Sequence, residues 1–159
     1  MHKSQREMIK DWLEAYRNDE AEIDESLEKL RMLRAHMMSV GAQELSDMPR
    51  PPSISGDRMT EYVIRVEALE AKIDQKFLEH DRDRMAIADL LKKIEPEERY
   101  VIWNRYLFGM EWRDVLNRVY QKQTDFEDKI ETYRRRMYRA HEKALDDMAK
   151  FWQREIPTR

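Results

Sequence analysis

Five cationic side chains fall within ten residues near the C-terminal end of the chain: Arg134, Arg135, Arg136, Arg139 and Lys143, with His141 among them. A guanidinium presents a planar fork of N–H donors that matches phosphate oxygens and the acceptor edge of guanine. Like charges at adjacent and four-spaced positions weaken a helix slightly, so keeping five of them together suggests a use. On a helix, Arg135, Arg139 and Lys143 lie along one ridge, with Arg134 and Arg136 at its flanks. Tyr133, Met137, Ala140 and Ala144 then turn the other way, toward a core. The expected DNA-contacting set is therefore Arg134, Arg135, Arg136, Arg139, His141 and Lys143. The plainer alternative is a solvated face, with Glu131, Glu142 and Asp146 neutralising part of the charge and His141 packed beside Leu145.

Other chemistries find little support. The chain has no cysteine, which removes disulfides, thiolate ligands and cysteine nucleophiles and suits a reducing compartment. No dinucleotide, phosphate-loop, nucleophile-elbow or zinc-helix motif occurs. Carboxylates abound, but on polar helix faces where water leaves their pKa no reason to move. His36 and His80 lack the Glu or His three or four residues away that a helical metal site needs. The reading is a protein that is not an enzyme and carries no metal or cofactor.

The elements that must position the cationic ridge are helices. Forty per cent of the chain is charged, 41% is apolar, and only three glycines and five prolines punctuate 159 residues. That mix is the signature of few, long, amphipathic helices. In residues 3–38, Ile9, Tyr16, Ile23, Leu30 and Met37 step by seven, with Trp12, Leu13, Leu27 and Leu33 thickening the stripe. In residues 59–94 the same step carries Met59, Val66, Ile73, His80, Ile87 and Ile94, with Val63, Phe77 and Leu91 filling the seam. Residues 39–58 hold Gly41, Pro49, Pro51, Pro52 and Gly56 and read as a loop. A strict seven-residue step keeps one seam toward a partner helix. The simplest arrangement is an antiparallel, coiled-coil-like hairpin over residues 1–94, although pairing between chains satisfies the same pattern.

Residues 95–159 read differently. Pro96 followed by Glu97 and Glu98 matches a helix start, and that helix runs to about Leu107. Gly109 then supplies a tight turn. A short helix covers Glu111–Tyr120, Gln121–Asp125 is a polar break, and a last helix spans about Phe126–Arg154 with Phe126, Ile130, Tyr133, Met137, Ala140, Ala144, Met148 and Phe151 as its stripe. Trp103, Tyr106, Trp112 and Tyr138 are expected in its core, and the eleven methionines as gap fillers in the seams. Two short helices bracing a basic third is the order of helix-turn-helix DNA readers.

At these residues the chain resembles a known group. Ile94-Glu95-Pro96-Glu97-Glu98-Arg99, then Arg105-Tyr106 with Gly109, Trp112 and Val115, look like the fourth region of sigma-70-type sigma factors, and more closely like small phage and prophage proteins of that kind. The segment Tyr138-Arg139-Ala140-His141-Glu142-Lys143-Ala144-Leu145 is similar to the end of their recognition helix. The likeness spans about residues 57–150 and is strong from 94 on. It implies an all-α protein ending in a three-helix unit of this type, a phage-encoded transcription regulator acting on promoter double-stranded DNA, and the host RNA polymerase as a partner. Residues 121–135 depart from the family, whose turn into the recognition helix is short.

Two other classes stay open: a phage interaction or inhibitor protein that binds a host protein, polymerase or defence nuclease, without DNA, in the manner of an anti-CRISPR; and a small packaging subunit. A homodimer through the hairpin is compatible with each. Residues 1–94 carry 16 basic and 20 acidic side chains, and residues 95–159 carry 14 and 13. Charge acts over about 10 Å in salt, so a local basic face can bind DNA on an acidic chain. No apolar run approaches the roughly 18 residues of a membrane span, and Met1–Glu7 lacks a signal-peptide pattern. The expected address is the cytoplasm of a bacterial host, with no membrane partner.

Overall fold

The computed structural model describes residues 3–44 and 52–152, and their side chains over 3–39 and 58–152. The protein is all-helical, with no strand among the described residues: α1 (Gln5–Glu44), α2 (Pro52–Leu91), α3 (Pro96–Ile102), α4 (Trp112–Tyr120) and α5 (Ile130–Phe151). A π-helical turn, Trp103–Leu107, prolongs α3, and was not foreseen from the sequence. No helix among the described residues is long and apolar enough to cross a membrane.

Local chemistry accounts for the boundaries. Ser4 and Glu7 close the first turn of α1 reciprocally: Glu7 N–H donates to Ser4 Oγ at 3.2 Å, and Ser4 N–H to Glu7 Oε2 at 3.1 Å. The Arg99 side chain caps the C-terminal end of α2, donating to the carbonyls of Leu91 at 2.8 Å and Ile94 at 3.1 Å. Gly109, at φ 66°, makes the turn before α4, where a side chain would collide with the backbone. Both long helices reach further into the expected 39–58 loop than their stripes suggest, because Gly41 and Gly56 cost only about 1 kcal/mol each in a helix. Pro49 and Pro51 of that loop lie outside the described residues.

The sequence reading divides the chain at residue 94, whereas the contacts divide each long helix. Residues up to Asp19 join those from Asp81 onward in one unit, and Glu20–His80 form the other. In the first, Ile9, Leu13 and Tyr16 of α1 and Ile87, Leu90 and Leu91 of α2 share a core with Ile102, Tyr106, Leu145 and Met148. A second cluster, Val101, Val115, Leu116, Tyr120, Tyr133 and Met137, ties α3 and α4 to α5.

In the Glu20–His80 unit the core is Leu30, Val66 and Ile73, flanked by Leu33, Met37 and Leu69. The pairs Glu22–Lys76, Arg34–Glu70 and His36–Tyr62 run in opposite numerical order, so α1 and α2 are antiparallel there. Leu27, Val63 and Phe77, expected in the seam, are instead exposed. One antiparallel neighbour covers one narrow stripe, and these positions fall to its side.

Three further expectations are corrected. The last helix starts at Ile130, because Phe126 sits in the turns that fill residues 121–129, from where it packs on Tyr133. Tyr138 is 42% exposed rather than core, lying over the half-buried Trp112 with centroids 5.3 Å apart. Met32, Met38 and Met85 are exposed, while Met137 and Met148 fill core gaps.

Candidate nucleic-acid interface

The first turns of α5 carry the cationic run, and burial on one side sets its outward face. Tyr133, Met137, His141, Ala144, Leu145 and Met148 are buried at helical spacing. Arg135 and Arg139 then point away, and both are exposed. Neither makes an ion pair among the described residues, whereas Arg134, Arg136 and Lys143 do.

Arg134 pairs with Glu131 one turn earlier on the same helix. Arg136 donates from Nε to Glu97 Oε1 at 2.7 Å and from Nη2 to Glu97 Oε2 at 3.0 Å. Lys143 Nζ lies 3.0 Å from Glu98 Oε1. Glu98 is buried; burial first, and its Asp147 neighbour next, push its carboxyl above the ordinary range against the pull of Lys143. The ridge also changes sign along its length. Glu142 and Asp146, one and two turns beyond Tyr138, are both held by Arg6 of α1. Among the described residues, the cations of this ridge that have no acidic partner are therefore Arg135 and Arg139.

His141 is not on that surface. It is 5% exposed, and its Nε2 lies 2.7 Å from the Tyr106 hydroxyl, with the ring edge against Trp112. Burial, helped by the nearby Lys10, Arg105 and Arg6, lowers its pKa to about 4, so the ring is neutral at physiological pH. A buried neutral imidazole cannot donate charge to a phosphate.

An open groove between the start of α3 and α5 is lined by Glu95, Glu97, Glu98, Arg136, Arg139 and Lys143. Its charges are mixed and largely paired, so it is not an anion cradle. The turn before α4 is stapled by two arginines: Arg17 Nη2 donates to the Gly109 carbonyl at 3.3 Å, and Arg105 Nη1 to the Met110 carbonyl at 3.0 Å. Arg105 also lies over the Trp112 ring, 4.6 Å from its centroid. These contacts fix α4 relative to α3 and so fix the brace behind α5.

Tyr138 joins the exposed set. It stands three residues after Arg135 and directly before Arg139. That spacing was legible, but assigning the ring to the core concealed it. Among the described residues, no group of three His, Asp or Glu side chains could hold a metal ion. No protein-family model, curated protein or solved structure matches the chain.

Proposed function

We propose that this chain is a phage or prophage DNA-binding transcription regulator, in which α3, α4 and α5 act as a helix-turn-helix unit of the sigma region-four kind and α1 with α2 forms a helical hairpin. The observation that carries it is the pair Arg135 and Arg139, exposed and without acidic partners among the described residues, on a helix whose opposite face is braced by α3 and α4. Tyr138 between them adds a ring able to pack on a sugar or base edge. Arg134 and Arg136 serve as flanking charges that phosphate can recruit from Glu131 and Glu97. Host RNA polymerase is the partner that the resemblance adds.

Phosphate contacts release counterions, so affinity falls with salt with a slope of about −0.9 per phosphate neutralised. Fluorescence anisotropy with a labelled mixed-sequence duplex, titrated across a salt series, tests the reading. The expected result is binding at low salt, a slope of two or more phosphates' worth, and loss in an Arg135→Ala/Arg139→Ala variant. Absence of binding at low salt sinks it.

A second reading is favoured by the acidic partners of Arg134, Arg136 and Lys143. On it, the chain binds a host protein through its helical surface and touches no DNA. Capture from nuclease-treated host lysate, unaffected by the same double substitution, would support it over the first.

A further inference from the structure

Two arginines meet at the turn before α4. Arg17 of α1 and Arg105 of the π-helical turn both reach the Glu111 carboxylate, at 3.3 Å and 3.8 Å. A charge-assisted N–H···O contact normally closes to about 2.7–2.9 Å. Glu111 therefore holds both loosely, and its side chain is 77% exposed where theirs are 23% and 18%. The Nε of each arginine is buried and has no acceptor among the described residues. Burial and then the neighbouring Arg17 work against the charge on Arg105, while Tyr106, Glu111 and the exposed Glu14 of α1 favour it more weakly. Pinning the turn accounts for one hydrogen bond from each arginine, to the carbonyls of Gly109 and Met110. It does not account for two guanidiniums side by side, largely out of water, with one loose carboxylate between them. Like charges so placed repel unless an anion joins them.

The position of the pair selects the anion. Arg105 lies over the Trp112 ring, 4.6 Å from its centroid, and Tyr138 packs on the same ring at 5.3 Å. Tyr138 stands in the sequence between the exposed Arg135 and Arg139. Each strand of a duplex carries a phosphate about every 3.4 Å of axis, so a duplex lying on α5 brings further phosphates toward the arginine pair. We propose that Arg17 and Arg105 form a second phosphate site, which takes a backbone phosphate of the duplex held by α5 in place of the Glu111 carboxylate. The site rests on the DNA reading and adds α1 to the DNA-binding surface. Guanidiniums fixed in advance by backbone carbonyls and by the Trp112 ring lose little freedom on binding. Glu111 leaves for water at small cost, because an exposed carboxylate contributes little to its pair. Such a site positions the duplex and reads no sequence.

Fluorescence anisotropy of the full chain with a labelled mixed-sequence duplex, across a salt series, tests it. Arg17→Gln is expected to lower the salt slope by about 1. Arg31→Gln, at an exposed and paired cation of α1 in the Glu20–His80 unit, is expected to leave it unchanged. Glu111→Gln is expected to bind about two- to five-fold more tightly, and that gain should shrink in the Arg17→Gln/Glu111→Gln variant. A staple that holds no anion would couple the two residues in urea melts but leave their effects on DNA affinity additive. A salt slope for folded Arg17→Gln equal to that of wild type overturns the inference, as does a Glu111→Gln gain undiminished in the folded double variant. Should Arg17→Gln lose helicity, Glu111→Gln decides alone: no gain in affinity overturns it. A wild type that binds no duplex at low salt removes both this site and the reading beneath it. Binding that needs Arg135 and Arg139 but ignores Arg17 and Glu111 removes this site alone.

Discussion

Arg136 grips Glu97 with both sides of its guanidinium while the Tyr120 hydroxyl donates to the same carboxylate oxygen at 2.7 Å. Burial works to raise the Glu97 pKa, and the hydrogen bonds from Arg136 and Tyr120 outweigh it, leaving the carboxyl below its ordinary range. The pair joins the start of α3 to α5, so a cation that reads as a DNA contact in the sequence also has a structural task.

That task is modest in energy. The Arg136 side chain is 55% exposed, and exposed pairs contribute at most about 1 kcal/mol. Arg136→Ala is expected to cost about that or less at neutral pH. A depressed carboxyl stabilises above its unfolded pKa and loses that contribution as pH falls through the folded one. The gap between wild type and variant in urea melts should therefore close in acid. A gap that widens there would contradict the assignment.

On the DNA side, Arg135→Ala and Arg139→Ala should each lower the salt slope by about 1 and weaken binding alike across sequences. Glu97→Gln, which loosens Arg136, should instead strengthen binding a few-fold. Equal losses from Arg135→Ala and from an alanine at exposed Lys122, tested by anisotropy, would mean that no ridge is being used.

The buried His141 gives a pH signature of its own. Its folded pKa of about 4 lies below the 6.5 of an ordinary imidazole, so the unfolded chain binds the extra proton first. Stability due to neutral His141 is present above 6.5 and is lost as pH falls toward about 4, on the order of 3 kcal/mol in all. Glu98, whose carboxyl is raised, works in the opposite sense above the ordinary carboxylate range. Comparing wild type with His141→Gln removes the Glu98 contribution: the variant should lack the slope between those values. Tyr106→Phe, which strips Nε2 of its partner, should cost about 1–3 kcal/mol.

The Gly109 turn offers a backbone test. Any L-residue with a side chain at φ 66° carries about 1–2 kcal/mol of strain. Gly109→Ala is expected to lower stability by that amount in denaturant melts, with no change in helix content at low denaturant. An unchanged midpoint would show that the turn can relax.

Core position matters more than residue type along α1. Leu13 is 0% exposed and packed among α1, α2 and α5, so Leu13→Ala should cost about 2–5 kcal/mol. Leu27, equally apolar but 39% exposed, should cost under about 1 kcal/mol on the same change. Thermal melts of the two variants separate these outcomes.

These contrasts mark what the sequence determined alone. Few glycines and prolines and a seven-residue step specify long helices, because both signals act through the backbone within a turn or two. Pro96 with its following acids and Gly109 mark their boundaries for the same local reason. Periodicity also says that Arg135 and Arg139 share a face opposite Tyr133 and Met137. It does not say what covers a face. Only the tertiary structure decided that Glu97 and Glu98, far back in the chain, occupy Arg136 and Lys143, that His141 turns inward to Tyr106, and that Val63 and Phe77 stay in water beside a filled seam. Which side chain meets which depends on how helices distant in sequence pack, and helical spacing within one element carries no record of its neighbours.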